Sequence, residues 1–105
     1  MKSIIQAQGI HHITLNGANR ETSINFWQNI LGMRLILEQP NLDDLSINHL
    51  YFDCGDGRTL TVFTDENRIP NKKKQNNEIG SVHHIAFWVS QSTIIIAEKN
   101  LNENG

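Results

Sequence analysis

The chain is 105 residues long, 38% hydrophobic and 19% charged, with a formal net charge of −2. That length accommodates one small domain, and the near-neutral balance excludes the broad basic field on which non-specific nucleic-acid binding depends. No apolar run approaches the roughly 18–20 residues of a membrane-spanning helix. The opening Met1–Gln6 holds no apolar signal core, and Cys54, the single cysteine, can close no internal disulfide and build no thiolate metal site alone. A reduced, cytoplasmic setting is the expectation.

In chain order, Gly9 to Asn16 is short, β-branched and bounded by glycine and by the Asn16-Gly17 turn signal, which predicts a strand. Asn19 is placed to cap a helix over 20–31, where Ile24, Trp27 and Leu31 recur at helical spacing and Gly32 follows as the stop. Strands are predicted over 33–39, 47–54 and 58–64, the last two joined by a tight Gly55-Asp56-Gly57 turn. The polar stretch 65–80, with Lys72-Lys73-Lys74, predicts a solvated connector; an anion site is the less economical reading of the lysines. Residues 82–89 predict a fifth strand, and Ser90 or Ser92 a cap for a second helix carrying Ile94, Ala97 and Leu101.

Ile10-His11-His12-Ile13-Thr14-Leu15 and Val82-His83-His84-Ile85-Ala86-Phe87 share one pattern, and a capped helix follows each copy. A repeated supersecondary unit explains both. The first unit reads β-α-β-β-β, whereas the second has only its strand and helix. The expectation is therefore an α+β chain of paired βαβββ modules, the second truncated after its helix. Module one spans 9–64, the connector 65–80 and partial module two 81–105 of one domain covering 1–105. A chain that ends here and closes on its helix is the plainer alternative.

Alternation along a strand separates the histidines. His11 shares a face with Ile13 and Leu15, and His83 with Ile85 and Phe87; these faces should lie under the helices, with His11 and His83 as partly buried hydrogen-bonding groups. His12 and His84 point the other way, with His49, Tyr51, Thr59 and Thr61 on the same polar side. Two neutral imidazoles at equivalent positions suit iron, zinc, nickel or manganese, and two histidines with one carboxylate make the non-haem iron triad. A lone strand histidine is commonly structural; the repetition on one face is what favours ligation. His49 is either an acid–base group of the pocket or an ordinary strand histidine.

The runs His11–Leu15, Phe26–Met33, Gly55–Gly57 and Val82–Phe87 resemble the vicinal-oxygen-chelate superfamily of glyoxalase I, bleomycin-resistance proteins and extradiol ring-cleaving dioxygenases. The run His49–Asp53 with the double histidines looks more like the dioxygenase branch. The resemblance implies two modules forming an incomplete barrel around a divalent metal, with His12 and His84 as ligands. Glyoxalase-type members take a glutamate from the last strand of module one, where this chain has Thr61, so a four-ligand lyase site is disfavoured. The remaining carboxylate of a dioxygenase site would come from a strand beyond residue 105. The function so implied is an Fe(II)-dependent dioxygenase acting on a small hydroxylated aromatic, with Mn(II), Ni(II) or Zn(II) as alternative metals. His49 or Tyr51 would be its acid–base partner, and Trp88 either a pocket wall or a rim-packing aromatic. Alternatives are a glyoxalase-type lyase or isomerase and a metal-free drug-binding protein. A homodimer is the expected assembly.

Overall fold

The structure, a computed structural model, describes residues 3–70 and 77–104. Strand β1 (His12–Asn16) leads into helix α1 (Arg20–Ile24), which continues as a π-helical segment over Asn25–Ile30. Strands β2 (Leu35–Pro40), β3 (Ile47–Asp53) and β4 (Thr59–Asp65) follow, and helix α2 (Gln91–Glu103) comes last. The first module is thus the predicted β-α-β-β-β unit, and the chain is α+β.

The four strands form one sheet in the order β1-β4-β3-β2. Strand β1 runs parallel to β4, while β4–β3 and β3–β2 are antiparallel. Leu50, Phe52, Leu60 and Val62 are buried on one face, with Leu15, Ile24, Trp27 and Leu35 packed against them. Leu15 lies opposite Val62 and Leu50 opposite Val62 from the other side, so one apolar row crosses three strands. The helical segment closes over that row, with the Trp27 and Phe52 rings 6.4 Å apart.

The helix begins where the cap predicts: Asn19 accepts a hydrogen bond from the Thr22 amide at 2.9 Å, satisfying one of the donors left open at a helix start. It stops at Gly32, whose φ of +74° is the left-handed conformation that glycine adopts without strain. The turn before it is set by close approach instead. A Cβ on Gly17 would collide with Val62 Cγ1, and the Gly17 amide donates to the Phe63 carbonyl at 2.9 Å, tying the turn to β4.

The predicted fifth strand does not form: residues 81–90 are neither strand nor helix. A strand exists only through its ladder partner. In module one β1 is held by β4, which follows the helix, and among the described residues no strand follows α2. Ser90 caps α2 by accepting from the Thr93 amide, but Ile94, Ile95, Ile96 and Leu101 remain exposed. The helix touches module one through Asn100, which donates to the Ile30 carbonyl at 3.5 Å. The Lys72-Lys73-Lys74 run of the connector lies outside the described residues.

Candidate functional site

A bulge in β2 decides what the open face of the sheet carries. Leu35 pairs with Phe52, but Leu37 pairs with Tyr51, so the register shifts between them. The extra residue flips the alternation: Leu35 stays with the core, whereas Leu37 and Gln39 turn to the face of Tyr51 and His49. Glu38 consequently reaches the helix side, where it accepts two hydrogen bonds from the Arg20 guanidinium at 2.6 and 2.9 Å. That fork-on-fork hydrogen bonding lowers the Glu38 pKa and raises that of Arg20.

On the open face the polar side chains join into one chain across all four strands. Thr14 and Thr61 hydroxyls lie 2.5 Å apart, and Thr61 Oγ1 is 2.8 Å from His49 Nε2. His49 Nδ1 is 3.0 Å from the Tyr51 hydroxyl, which donates to Gln39 Oε1 at 2.9 Å. The imidazole is also packed against the rings of Tyr51 and Phe63, each centroid 4.3 Å away. Burial, then the nearby charge of His12, holds the His49 pKa below its ordinary value, so the neutral ring, able to accept a proton, is favoured.

His12, His49 and Tyr51 therefore share the face expected of them, and His12 stands close enough to His49 to act on it electrostatically. His12 borders a cavity of about 480 Å³ at the start of β1, together with Arg58, Phe87 and Trp88. Trp88 walls that cavity although it is fully exposed, and it packs no rim. His84 borders a different cavity, of about 550 Å³, among Leu15, Trp27 and Leu31 on the helix side. His12 and His84 thus border different cavities, and the segment carrying His84 has no strand pairing to set its alternation.

His11 and His83 are exposed, not partly buried; each meets its neighbour instead. The Nδ1 atoms of His11 and His12 are 2.7 Å apart, and those of His83 and His84 2.8 Å. The rings are edge-on in both pairs, at 79° and 80°. In each contact one Nδ1 donates and the other accepts. Where His12 or His84 is the donor, its Nε2 lone pair is left for a ligand.

The imidazoles fit a borderline divalent metal as single donors. Among the described residues, however, no group of three or more His, Cys, Asp or Glu side chains is placed to hold one. Thr61, at the position where a carboxylate would complete a site within module one, spends its hydroxyl on His49 and Thr14. The polar chain through Gln39, Thr14 and Thr61 was not legible as a unit in the sequence; the period-two pattern of β3 and β4 points to Thr61, but Gln39 depends on the bulge.

Comparison with known proteins agrees with this architecture. Residues 9–99 match the Glyoxalase/Bleomycin resistance protein/Dioxygenase superfamily. MhqO of Bacillus subtilis (strain 168), named as a candidate ring-cleaving dioxygenase, is 36% identical over 59 residues, 56% of this chain and 19% of its own length. MhqE of the same organism, named likewise, is 30% identical over 60 residues, 57% of this chain and 20% of its own. The chain therefore spans about a fifth of the length of these relatives. Among solved structures, SMU.1112c superposes with a TM-score of 0.72 at 22% identity, covering 95% of this chain and 77% of the other. The fosfomycin resistance protein FosX of Listeria monocytogenes, solved with Mn(II) and 1S,2S-dihydroxypropylphosphonic acid, gives 0.67 at 17% identity over 95% and 71%. At those identities the structures share the fold. The chain belongs to the glyoxalase, bleomycin resistance protein and dioxygenase superfamily.

Proposed function

We propose that this chain contributes to a metal-dependent enzyme of the ring-cleaving dioxygenase kind, acting on a small hydroxylated aromatic. The observation that carries this reading is the placement of His12, His49 and Tyr51 on one sheet face, with His12 also lining a cavity large enough for a single aromatic ring. The similarity to the Bacillus proteins named as ring-cleaving dioxygenases supports it. His12 is the proposed first ligand and His84 the second; a carboxylate from outside the described residues, or from a second copy of the chain, completes the set. Fe(II) is the metal proposed, since it suits two histidines with one carboxylate and would lower the pKa of a bound hydroxyl while leaving room for dioxygen.

The chain's own residues do the rest. His49, neutral and partly desolvated, takes the proton from the substrate hydroxyl. Tyr51 and Phe63 hold its ring in place. Trp88 lines the cavity that His12 borders.

Titration of the chain with Mn(II) or Fe(II) under anaerobic conditions tests the ligand assignment. Saturable binding that His12→Ala abolishes supports it; equal binding by the wild type and His12→Ala overturns it. A second reading, metal-free binding of a small molecule, draws on the absence of a three-donor cluster among the described residues. It predicts stoichiometric ligand binding that a chelator leaves unchanged.

A further inference from the structure

The directions of the hydrogen bonds on the open face carry more than their distances. The Tyr51 hydroxyl has a single hydrogen, and Gln39 Oε1 can only accept, so that hydrogen goes to Gln39. The Tyr51 oxygen then faces His49 Nδ1 at 3.0 Å as an acceptor, which requires the neutral imidazole to carry its proton on Nδ1. His49 Nε2 is left with a lone pair, and Thr61 must donate to it; Thr61 in turn accepts from Thr14. Every hydrogen in the chain points the same way, from Thr14 on β1 to Gln39 on β2.

We infer that Gln39 is a positioning residue that fixes, through Tyr51, the tautomer of His49, so that the basic nitrogen is Nε2, on the side of β1 and His12. Gln39 is exposed on an edge strand and packs nothing in the core, so its place at the end of this chain is not a requirement of the fold. A proton accepted at Nε2 gives an imidazolium whose Nδ1–H keeps the Tyr51 oxygen as acceptor and whose Nε2–H finds the Thr61 oxygen once that hydroxyl turns its hydrogen to Thr14. The consequence for catalysis rests on the function proposed above; the tautomer does not.

Long-range proton–nitrogen correlation spectra of the histidine-labelled full chain test this, recorded above the ordinary imidazole pKa, with the His49 signals assigned by their loss in His49→Gln. The wild type is expected to carry the His49 proton on Nδ1. In Gln39→Leu the Tyr51 hydroxyl loses that acceptor and turns its hydrogen onto Nδ1, so the proton moves to Nε2. Gln39→Glu restores a group that only accepts and keeps the proton on Nδ1. A wild-type proton on Nε2 overturns the inference whatever the variants do, and so does a folded Gln39→Leu with the wild-type tautomer. These spectra need neither metal nor substrate, so the tautomer of His49 is read in the same way whether or not the proposed enzyme activity is found.

Discussion

His49 and Thr61 are bonded diagonally across the sheet: Nε2 and Oγ1 lie 2.8 Å apart, although Thr61 stands opposite Tyr51 and His49 opposite Phe63. Thr61 is fully buried, yet its hydroxyl serves two neighbours, His49 and Thr14. A residue that seals the centre of the sheet thus also ties β1 to β3.

Replacing Thr61 by Val keeps the shape and removes the hydroxyl. Two polar atoms then lose their partner beside a buried site, which costs about 1–3 kcal/mol. Urea denaturation should show a midpoint lowered accordingly with an unchanged slope. A midpoint within error of the wild type would mean that the Thr14–Thr61–His49 chain adds nothing to stability.

Gly17→Ala should destabilise by about 1–3 kcal/mol, because the added methyl meets Val62 Cγ1 and Ser23 Oγ in a packed layer. The same change at Gly55, where nothing lies within 4 Å, creates no contact, and its cost comes from a φ of +91° alone. Thermal melts of both variants would distinguish crowding from backbone strain: only Gly17→Ala should recover when Val62 is shortened to Ala in a double mutant, measured against the Val62→Ala single mutant.

The pH dependence follows from His49. Its pKa in the fold is below the ordinary 6.5, first through burial and then through His12. The unfolded chain therefore binds this proton more readily, so the contribution of His49 to stability is full above about pH 6.5 and is lost as the pH falls through the folded value. Stability measured between pH 8 and pH 5 (about the imidazole range) should fall toward acid, and His49→Gln should flatten that slope. An identical slope in the variant would assign the titration to another histidine.

Much of this was legible in the sequence, for reasons that are local. The faces of β3 and β4 follow from strict alternation around Leu50, Phe52, Leu60 and Val62, and Asn19 and Gly32 mark the helix ends by their own chemistry. What was not legible depends on distant partners. The β2 bulge turns Gln39 to the open face only because β3 imposes the register, and the sequence of 33–39 reads as an unbroken strand. Residues 82–89 have every strand-like feature and still form no strand, since the ladder that would hold them requires a neighbour. The positions of His83 and His84 depend on that same pairing.

Dioxygen consumption tests the proposed reaction most directly. The chain, loaded anaerobically with Fe(II) and mixed with a catechol or hydroquinone in an oxygen electrode, should consume dioxygen and yield a ring-opened product. His12→Ala should abolish both. Conversion without dioxygen uptake, or no conversion alongside tight binding of the aromatic by the metal-free chain, would contradict the proposed reaction and leave only the fold and the small-molecule site standing.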